Sequence, residues 1–259
     1  MKLKTLLICP AKGNGPALAK GLNLLFLFLL IALLCSIIFS FPIYDWKAVY
    51  AYKYAFIKGW TTTCLISLAC LVLSFFLGTI AALMRRSKVL ILRYLSILYI
   101  ESIRGTPLLV QLLVFFYVIT SAMHLENRFL IGVLTLSLFS GAYIAEIVRS
   151  GIESIRSSLI DSAKAIGMTP YQTYRYVIFP LVFRQILPPL TGQFASIIKD
   201  SSLLSIIGIS ELTYMAQQIS SATYSTLESY FPLAIGYLIL TLPISLLSKT
   251  LERRFRYES

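Results

Sequence analysis

Long apolar stretches, separated by short basic segments, dominate this chain. A helix needs about 20 consecutive apolar residues to cross the hydrocarbon core of a bilayer. Six stretches satisfy this length, at residues 21–41, 59–84, 94–120, 129–148, 186–207 and 229–248. The pattern therefore predicts an all-α, polytopic membrane helix bundle with six spans.

The composition supports a membrane protein and excludes several other classes. Hydrophobic residues make up 58% of the 259 residues, and charged residues only 13%. A soluble domain has roughly 45–50% apolar and about 25% charged residues. A soluble globule of this length could not bury so much apolar surface, and disordered, collagen-like and disulfide-rich chains have different compositions.

The first apolar stretch follows a basic tail at residues 1–20, so a cleaved signal peptide is the alternative to a span. The hydrophobic region of a signal peptide is about 7–15 residues long and precedes a cleavage site with small residues. The stretch at 21–41 is longer than this, and Phe41 and Pro42 do not form such a site. We therefore expect an extra N-terminal transmembrane helix at 21–41.

The basic residues predict the orientation. The N-terminal tail, the 85–93 segment, the 149–185 loop and the C-terminal tail together hold 17 of the 23 Lys and Arg residues. Segments rich in Lys and Arg stay on the cytoplasmic side of a membrane. Both termini are therefore predicted to be cytoplasmic in a multi-pass membrane protein. The net charge of +12 then reflects topology and implies no nucleic-acid partner.

The second span carries four small residues at four-residue steps. Residues at this spacing lie on one face of a helix, and small side chains allow transmembrane helices to approach closely. This face, which predicts tight helix packing, consists of Cys70, Ser74, Gly78 and Ala82.

Several spans contain charged or amide side chains, which are costly in a bilayer unless they face the bundle interior or water. They support either ion pairs that only stabilise the bundle or a polar lining of a substrate pathway. Pro107, which kinks a helix, slightly favours the pathway because broken helices often mark substrate sites. The candidate pathway residues are Glu101, Arg104, Gln111, Glu146, Arg149, Lys199 and Asp200.

The loop at 149–185 is too polar to span a membrane, and its pattern predicts two short cytoplasmic helices. Apolar residues at helical spacing, Ile155, Leu159, Ala163 and Ile166, give the first helix one apolar face. Gly167 is expected to end that helix. Thr169 and Pro170 are an N-cap followed by Pro at the first helical position.

The second short helix is predicted to run to about residue 179 and to end at Pro180. A pair of helices joined by so well-defined a turn favours a docking element for a cytoplasmic partner. The alternative is an amphipathic helix that lies on the membrane surface.

The chain lacks residues for chemistry of its own. It contains no Gly-Lys pair, and hence no Walker A motif. The single histidine, His124, has no cysteine partner at a metal-site spacing, and no nucleophile–base pair is evident. We expect a polypeptide that is not an enzyme, holds no metal and binds no cofactor.

The cytoplasmic loop resembles the EAA loop of ABC importer permeases. The signature of that loop is Glu-Ala-Ala, three residues, Gly, nine residues, Ile, any residue and Leu-Pro. This chain keeps the spacing, with Asp161, Ser162 and Ala163 at the first three positions, followed by Gly167 and, at the end, Pro180. Ser158 and Leu159 depart from the Gly-Gln that usually precedes the signature in polar amino-acid permeases.

Four further segments are similar to the polar amino-acid permeases of this family. They are residues 99–111 (YIESIRGTPLLVQ), 141–149 (GAYIAEIVR), 199–203 (KDSSL) and 251–254 (LERR). The resemblance covers about residues 55–255 and implies a five-helix importer core, with the helix at 21–41 added in front of it.

The resemblance implies a permease subunit of an ATP-driven importer of polar amino acids. In that family two permease subunits form the pathway, two ABC ATPase subunits bind the EAA loops, and an extracytoplasmic binding protein delivers the amino acid. ATP and Mg²⁺ are then expected in the ATPase. The coupling residues would be Ile155, Leu159, Asp161, Ser162, Ala163, Ile166, Gly167 and Pro180.

Two other classes remain open at this point. An ion-gradient-driven secondary transporter of small polar solutes would use the charged residues as a central ion site. The well-defined cytoplasmic loop and the lack of an evident internal repeat oppose it. A membrane scaffold that transports nothing would not need charges on pathway-facing helices.

Overall fold

The computed structural model describes residues 17–39, 45–123 and 127–255, and these residues are almost entirely helical. Within these ranges the α-helices are α1 (Ala17–Phe39), α2 (Trp46–Tyr50), α3 (Lys53–Arg85), α4 (Leu90–Arg104), α5 (Leu108–Leu113), α6 (Thr120–Met123), α7 (Arg128–Glu153), α8 (Ser157–Ala165), α9 (Pro170–Gln172), α10 (Phe179–Asp200), α11 (Leu212–Thr223) and α12 (Thr226–Phe255). π-Helical turns at Val114–Ile119 and Thr173–Ile178 and a 3₁₀-helix at Ser201–Ile207 connect some of them. The predicted all-α class is confirmed.

The chain divides into two compact units, residues 1–45 and 46–259. In the first unit the described part is α1, a single apolar helix that covers most of the predicted span at 21–41. His124 and most of the basic tail at 1–20 lie outside the described residues.

The second unit is a helix bundle in which α3 and α7 form the central pair. The predicted small-residue face of α3 is buried, which confirms the tight packing: Cys70, Ser74 and Ala82 have no exposed surface. Gly78 has no room for a side chain, since a Cβ there would lie 2.7 Å from the carbonyl oxygen of Gly141 on α7. This close approach of two backbones sets the distance between the two helices.

Among the described residues, three helices are long and apolar enough to cross a membrane. They are Lys53–Arg85, Arg128–Glu153 and the Thr226–Arg253 part of α12. A fourth crossing exists only if Leu90–Arg104 and Leu108–Ile119 are counted together, and these two segments meet at a bend of 108°. The predicted count of six spans is therefore not confirmed.

The predicted fifth span at 186–207 has different boundaries in the structure. Its helix begins earlier, at Phe179, ends at Asp200 and continues as the 3₁₀-helix Ser201–Ile207. The expectation that Pro180 ends a short helix is wrong, because α9, the π-helical turn and α10 follow one another without a break from Pro170 to Asp200. Pro180 has no N–H to donate, and it lies just after the π-helical turn Thr173–Ile178, where the backbone hydrogen-bond pattern already changes.

Candidate functional site

Charged side chains from three helices meet on one side of the bundle. Glu101 and Arg104 come from the end of α4, and Glu146 and Arg149 come from the end of α7, as the sequence spacing suggested. The structure adds two residues, one from the end of α3 and one from α7. We call the complete set the charge cluster: Arg85, Glu101, Arg104, Glu146, Arg149 and Glu153.

Glu146 lies at the centre of the charge cluster. Its Oε2 atom lies 3.5 Å from Nη1 of Arg85, 3.7 Å from Nη1 of Arg104 and 2.9 Å from Nε of Arg149. Its Oε1 atom forms an ion pair with Nη2 of Arg149. One carboxylate thus binds three guanidinium groups, and its own side chain is only 23% exposed.

The outer members of the charge cluster are more accessible to solvent. Glu101 pairs with Arg85 at 3.6 Å and is 61% exposed, and Glu153 pairs with Arg149 and is 53% exposed. Three arginines and three carboxylates balance in charge. Arg104 is 35% exposed, and its guanidinium carbon lies 5.5 Å from the centre of the Tyr143 ring. Arg104 is therefore held by one ion pair and one ring, with surface left for another partner.

Gln111 lies at the 108° bend instead of in the charge cluster. Its Nε2 atom donates to the carbonyl oxygens of Ile103 and Thr106, at 2.7 and 3.1 Å, and to Oγ1 of Thr106, at 2.8 Å. The side chain is 7% exposed. Gln111 therefore ties the segment after Pro107 to the end of α4.

The break before α5 has no side-chain cap. Pro107 is the N-cap residue of α5, and Oγ1 of Thr106 donates backwards to the carbonyl of Ser102 at 2.9 Å. Thr106 therefore does not cap the restarted helix. The side-chain amide of Gln111 instead donates hydrogen bonds to the backbone carbonyls at the break.

Lys199 and Asp200 lie at the end of α10 and do not join the charge cluster. Neither makes an ion pair with any residue in the described ranges. The structure thus brings together Glu101, Arg104, Glu146 and Arg149, and leaves Gln111, Lys199 and Asp200 at separate places.

The helix–turn–helix of the 149–185 loop has the predicted turn. Gly167 has φ of +80°, which is the left-handed conformation. The N–H of Met168 donates to the carbonyl of Ala163 at 3.1 Å, and the N–H of Gly167 donates to that of Lys164 at 2.9 Å. These two bonds form a Schellman motif that ends α8.

The next helix begins with a complete capping box. The N–H of Gln172 donates to Oγ1 of Thr169 at 3.3 Å, and the N–H of Thr169 donates to Oε1 of Gln172 at 2.8 Å. Pro170 occupies the first turn. Both sides of the turn are therefore fixed by local hydrogen bonds, which confirms the predicted N-cap.

The sequence suggested that the apolar residues of this loop share one face, but in the structure they do not. Ala163 is 4% exposed and packs inside the chain, whereas Leu159 is 42% and Ile166 is 78% exposed. Ile155 lies in the break between α7 and α8, since α8 begins only at Ser157. The first helix is thus shorter than predicted, and its open apolar surface is that of Leu159 and Ile166.

The polar side of α8 is solvent-exposed. Asp161 pairs with Lys164 at 3.7 Å, and both side chains are 69% exposed. Ser162 is exposed as well. An exposed pair of this kind contributes at most ~1 kcal/mol to stability.

Sequence reasoning missed Arg85 and Glu211. Arg85 follows Ala82 by three residues, so it continues the small face of α3 toward α7, and this spacing could have identified it. Glu211, directly before α11, is completely buried and accepts hydrogen bonds from the N–H groups of Thr213 and Tyr214 and from the hydroxyl of Tyr237. An acidic residue directly before a helix is a capping signal.

Burial raises the pKa of the Glu211 carboxyl, and its hydrogen-bond donors oppose that rise. Glu211 connects three helices, because its other neighbour is Thr63 on α3, at 3.4 Å.

No three His, Cys, Asp or Glu side chains in the described ranges could hold a metal ion together.

Known proteins resemble this chain over most of its length. The glutamine transport system permease protein GlnP of Escherichia coli K12 is 36% identical over 215 residues, which are 82% of this chain and 98% of that protein. The L-cystine transport system permease protein TcyB of Bacillus subtilis is 40% identical over 188 residues, covering 71% of this chain and 80% of that protein.

Solved structures share the fold. A crystal structure of an amino acid ABC transporter with histidines superimposes with a TM-score of 0.75 at 36% identity, covering 82% of this chain and all of that one. The inward-facing MetNI methionine ABC transporter gives a TM-score of 0.64 at 16% identity, covering 80% of this chain and 99% of that one.

The sequence profile of one family matches residues 74–257, which include the charge cluster and the 149–185 loop. The helix α1 lies outside this match. The chain belongs to the family described as the binding-protein-dependent transport system inner membrane component.

Proposed function

We propose that this chain is the permease subunit of an ATP-driven ABC importer that moves polar amino acids across the cytoplasmic membrane. Relatives named for glutamine and cystine transport support this substrate class. They do not favour the ion-gradient alternative. The observation that carries the proposal is the turn at Gly167, because two sets of local hydrogen bonds present α8 as a rigid projection.

The projection couples the permease to ATP hydrolysis in a partner. Helix-in-groove recognition uses exposed apolar anchors at helical spacing, and here Leu159 and Ile166 are those anchors. Ala163 supports the projection from inside the chain. ATP and Mg²⁺ bind to two ABC ATPase subunits, a second permease subunit completes the pathway, and an extracytoplasmic binding protein delivers the amino acid. Both termini face the cytoplasm.

The solute pathway passes the exposed part of the charge cluster. Arg104 offers a guanidinium group, which binds a carboxylate through two parallel hydrogen bonds. Every α-amino acid carries such a carboxylate. Glu146 holds Arg104 in place when no solute is present.

The decisive experiment is co-purification of the ATPase with Ile166→Asp, combined with ATP-dependent uptake in vesicles. A charge on this anchor should reduce ATPase binding by about tenfold or more, as loss of a buried apolar anchor does. The matched control is Val89→Asp, which places the same charge on another exposed apolar residue, 53% exposed, in a predicted cytoplasmic turn. Wild-type binding and uptake by Ile166→Asp would refute the coupling role.

A further inference from the structure

An open cavity of about 440 Å³ lies where the first turns of α10 approach the end of α12. Its lining combines two arginines with aromatic rings: Arg175, Tyr176, Phe179, Phe183, Arg184 and Phe255. Of the described residues that line it, none is an Asp or a Glu. The cavity is therefore positively charged and apolar at once, a combination that neither the coupling role nor the solute pathway uses.

The predicted end of the last span puts the cavity close to the boundary of the hydrocarbon core. The predicted last span ends at residue 248, and Phe255, which lines the cavity, follows it in the basic C-terminal tail. Aromatic side chains concentrate at this level in membrane proteins, because their rings suit the boundary between acyl chains and head groups. The position of the cavity thus follows from α12 alone and does not depend on which side is cytoplasmic.

The aromatic rings provide an apolar floor that the chain itself leaves uncovered. Tyr176 is 68%, Phe179 46% and Phe183 48% exposed. The rings of Phe179 and Phe183 are stacked, with 6.2 Å between their centres. Such a surface suits the glycerol and upper acyl carbons of a lipid, whereas a water-soluble anion would gain nothing from it.

The arginines provide the charge. Arg175 and Arg184 are both exposed, and a guanidinium group binds phosphate through paired hydrogen bonds. Arg184 also borders an adjoining cavity of about 570 Å³, which Glu252 helps to line. Arg175 belongs only to the first cavity. Arg175 is therefore the principal candidate for a phosphate contact, with Arg184, which already interacts within the chain, as the second.

We propose that this cavity binds the phosphate head group of an anionic phospholipid, with its glycerol and upper chains on the Phe179–Phe183 floor. Basic pockets between helices at a membrane surface recognise acidic lipids in this way. The site lies on the continuous helix that follows the turn at Gly167, so bound lipid would fix the base of that helix in the membrane. The proposal does not rest on the identity of the transported solute.

The test is lipid binding to the full-length permease, purified in its transporter complex and delipidated. Phosphatidylglycerol and phosphatidylcholine are added separately, and bound lipids are counted by native mass spectrometry. The wild type should prefer phosphatidylglycerol. Arg175→Gln/Arg184→Gln should weaken phosphatidylglycerol binding by about tenfold or more and leave phosphatidylcholine binding unchanged, since each basic residue near an acidic lipid contributes about fivefold.

Three comparisons make the test specific. Arg86→Gln/Arg93→Gln removes the same charge from exposed arginines outside the cavity and should keep the preference. Arg175→Lys/Arg184→Lys keeps the charge and should retain most of it, which also covers the case in which the glutamine variant does not fold. Phe179→Ala/Phe183→Ala should weaken both lipids while keeping the preference between them.

Three results would overturn the proposal. The first is an unchanged preference in Arg175→Gln/Arg184→Gln. The second is displacement of the lipid by soluble glycerol 3-phosphate at equal concentration, which would make the cavity a site for a free phosphate. The third is loss of the ATPase from this variant with lipid preference intact, which would make the cavity a protein contact. None of these results bears on the coupling test with Ile166→Asp.

Discussion

Arg104 and Glu146 form an ion pair between α4 and α7, with 3.7 Å between Nη1 of the arginine and Oε2 of the glutamate. Glu101 lies one turn away from Arg104 on the same helix. Glu101 instead pairs with Arg85 on α3. These two ion pairs therefore connect different helices, and a solute carboxylate at Arg104 would compete with the bond between α4 and α7.

We predict that Arg104→Ala lowers uptake of the amino acid by about tenfold or more, because one charge-assisted contact to the solute is lost. Assembly should persist, since Arg85 and Arg149 still hold Glu146. The measurement is uptake into vesicles at equal membrane abundance. Arg93→Ala, an exposed arginine at the start of α4, is the control, and unchanged uptake in Arg104→Ala would remove this residue from the pathway.

Gly167→Ala should destabilise the protein by about 1–2 kcal/mol through backbone strain alone. The residue has φ of +80°, and a Cβ there would meet nothing within 4 Å. Gly192→Ala is a matched control, because its Cβ would also meet nothing within 4 Å, and the positive-φ glycines in the described ranges are Gly167 and Gly208. The control should be neutral or slightly stabilising. Thermal unfolding of wild type and both variants in detergent gives the comparison. Equal melting temperatures for wild type and Gly167→Ala would show that alanine is not strained in this turn.

Gly78→Ala should cost about 1–3 kcal/mol, the usual range for overpacking. The new Cβ would lie 2.7 Å from the carbonyl oxygen of Gly141 and 2.7 Å from Cβ of Ile144, so the backbones of α3 and α7 must separate. Leu83→Ala, at a 60% exposed position on the same helix, should change stability much less. A Gly78→Ala protein as stable as the wild type would mean that the two helices can move apart freely.

Glu211→Gln should alter how stability depends on pH. Burial raises the pKa of this carboxyl in the folded protein. Between the ordinary and the raised pKa, the folded state holds a proton that the unfolded state has lost, so stability falls as the pH rises through that interval. The fall is at most about 1.4 kcal/mol per pH unit for one proton.

The glutamine variant cannot titrate at this position, so its unfolding free energy should change less with pH over the same interval. The control is Glu252→Gln, which removes an exposed carboxyl and should leave the slope of the wild type. Parallel slopes for wild type and Glu211→Gln in chemical denaturation would contradict the expected titration.

The sequence predicted best where the signal is local. The cap at Thr169, the stop at Gly167 and the small face of α3 depend only on neighbouring residues and helical periodicity, and all three are present. Spacing also identified which faces carry Glu101, Arg104, Glu146 and Arg149. It could not identify which helices those faces meet, because that depends on packing across the bundle.

Two elements were misjudged because their structure depends on the chain that precedes them. Pro180 reads as a helix terminator, but it lies just after a π-helical turn and the helical path continues through it. Ala163 reads as part of an exposed apolar face, yet the helix that carries it begins only at Ser157, and Ala163 packs inward. Periodicity predicts which residues share a face of a helix, but what that face packs against depends on the path of the chain before the helix.

The unbroken helical path from Pro170 to Asp200 has a mechanical consequence. At about 1.5 Å per residue it extends over about 45 Å, and it begins shortly after the turn at Gly167. Pro188 and Pro189 lie inside this helix, and because both lack the backbone N–H donor, the helix should bend most easily there. If the ATPase displaces the turn at Gly167, the helix before Pro188 should tilt as a unit. The angle between it and the helix that carries Lys199 and Asp200 should then change. Distances between spin labels placed before and after the two prolines would measure that change.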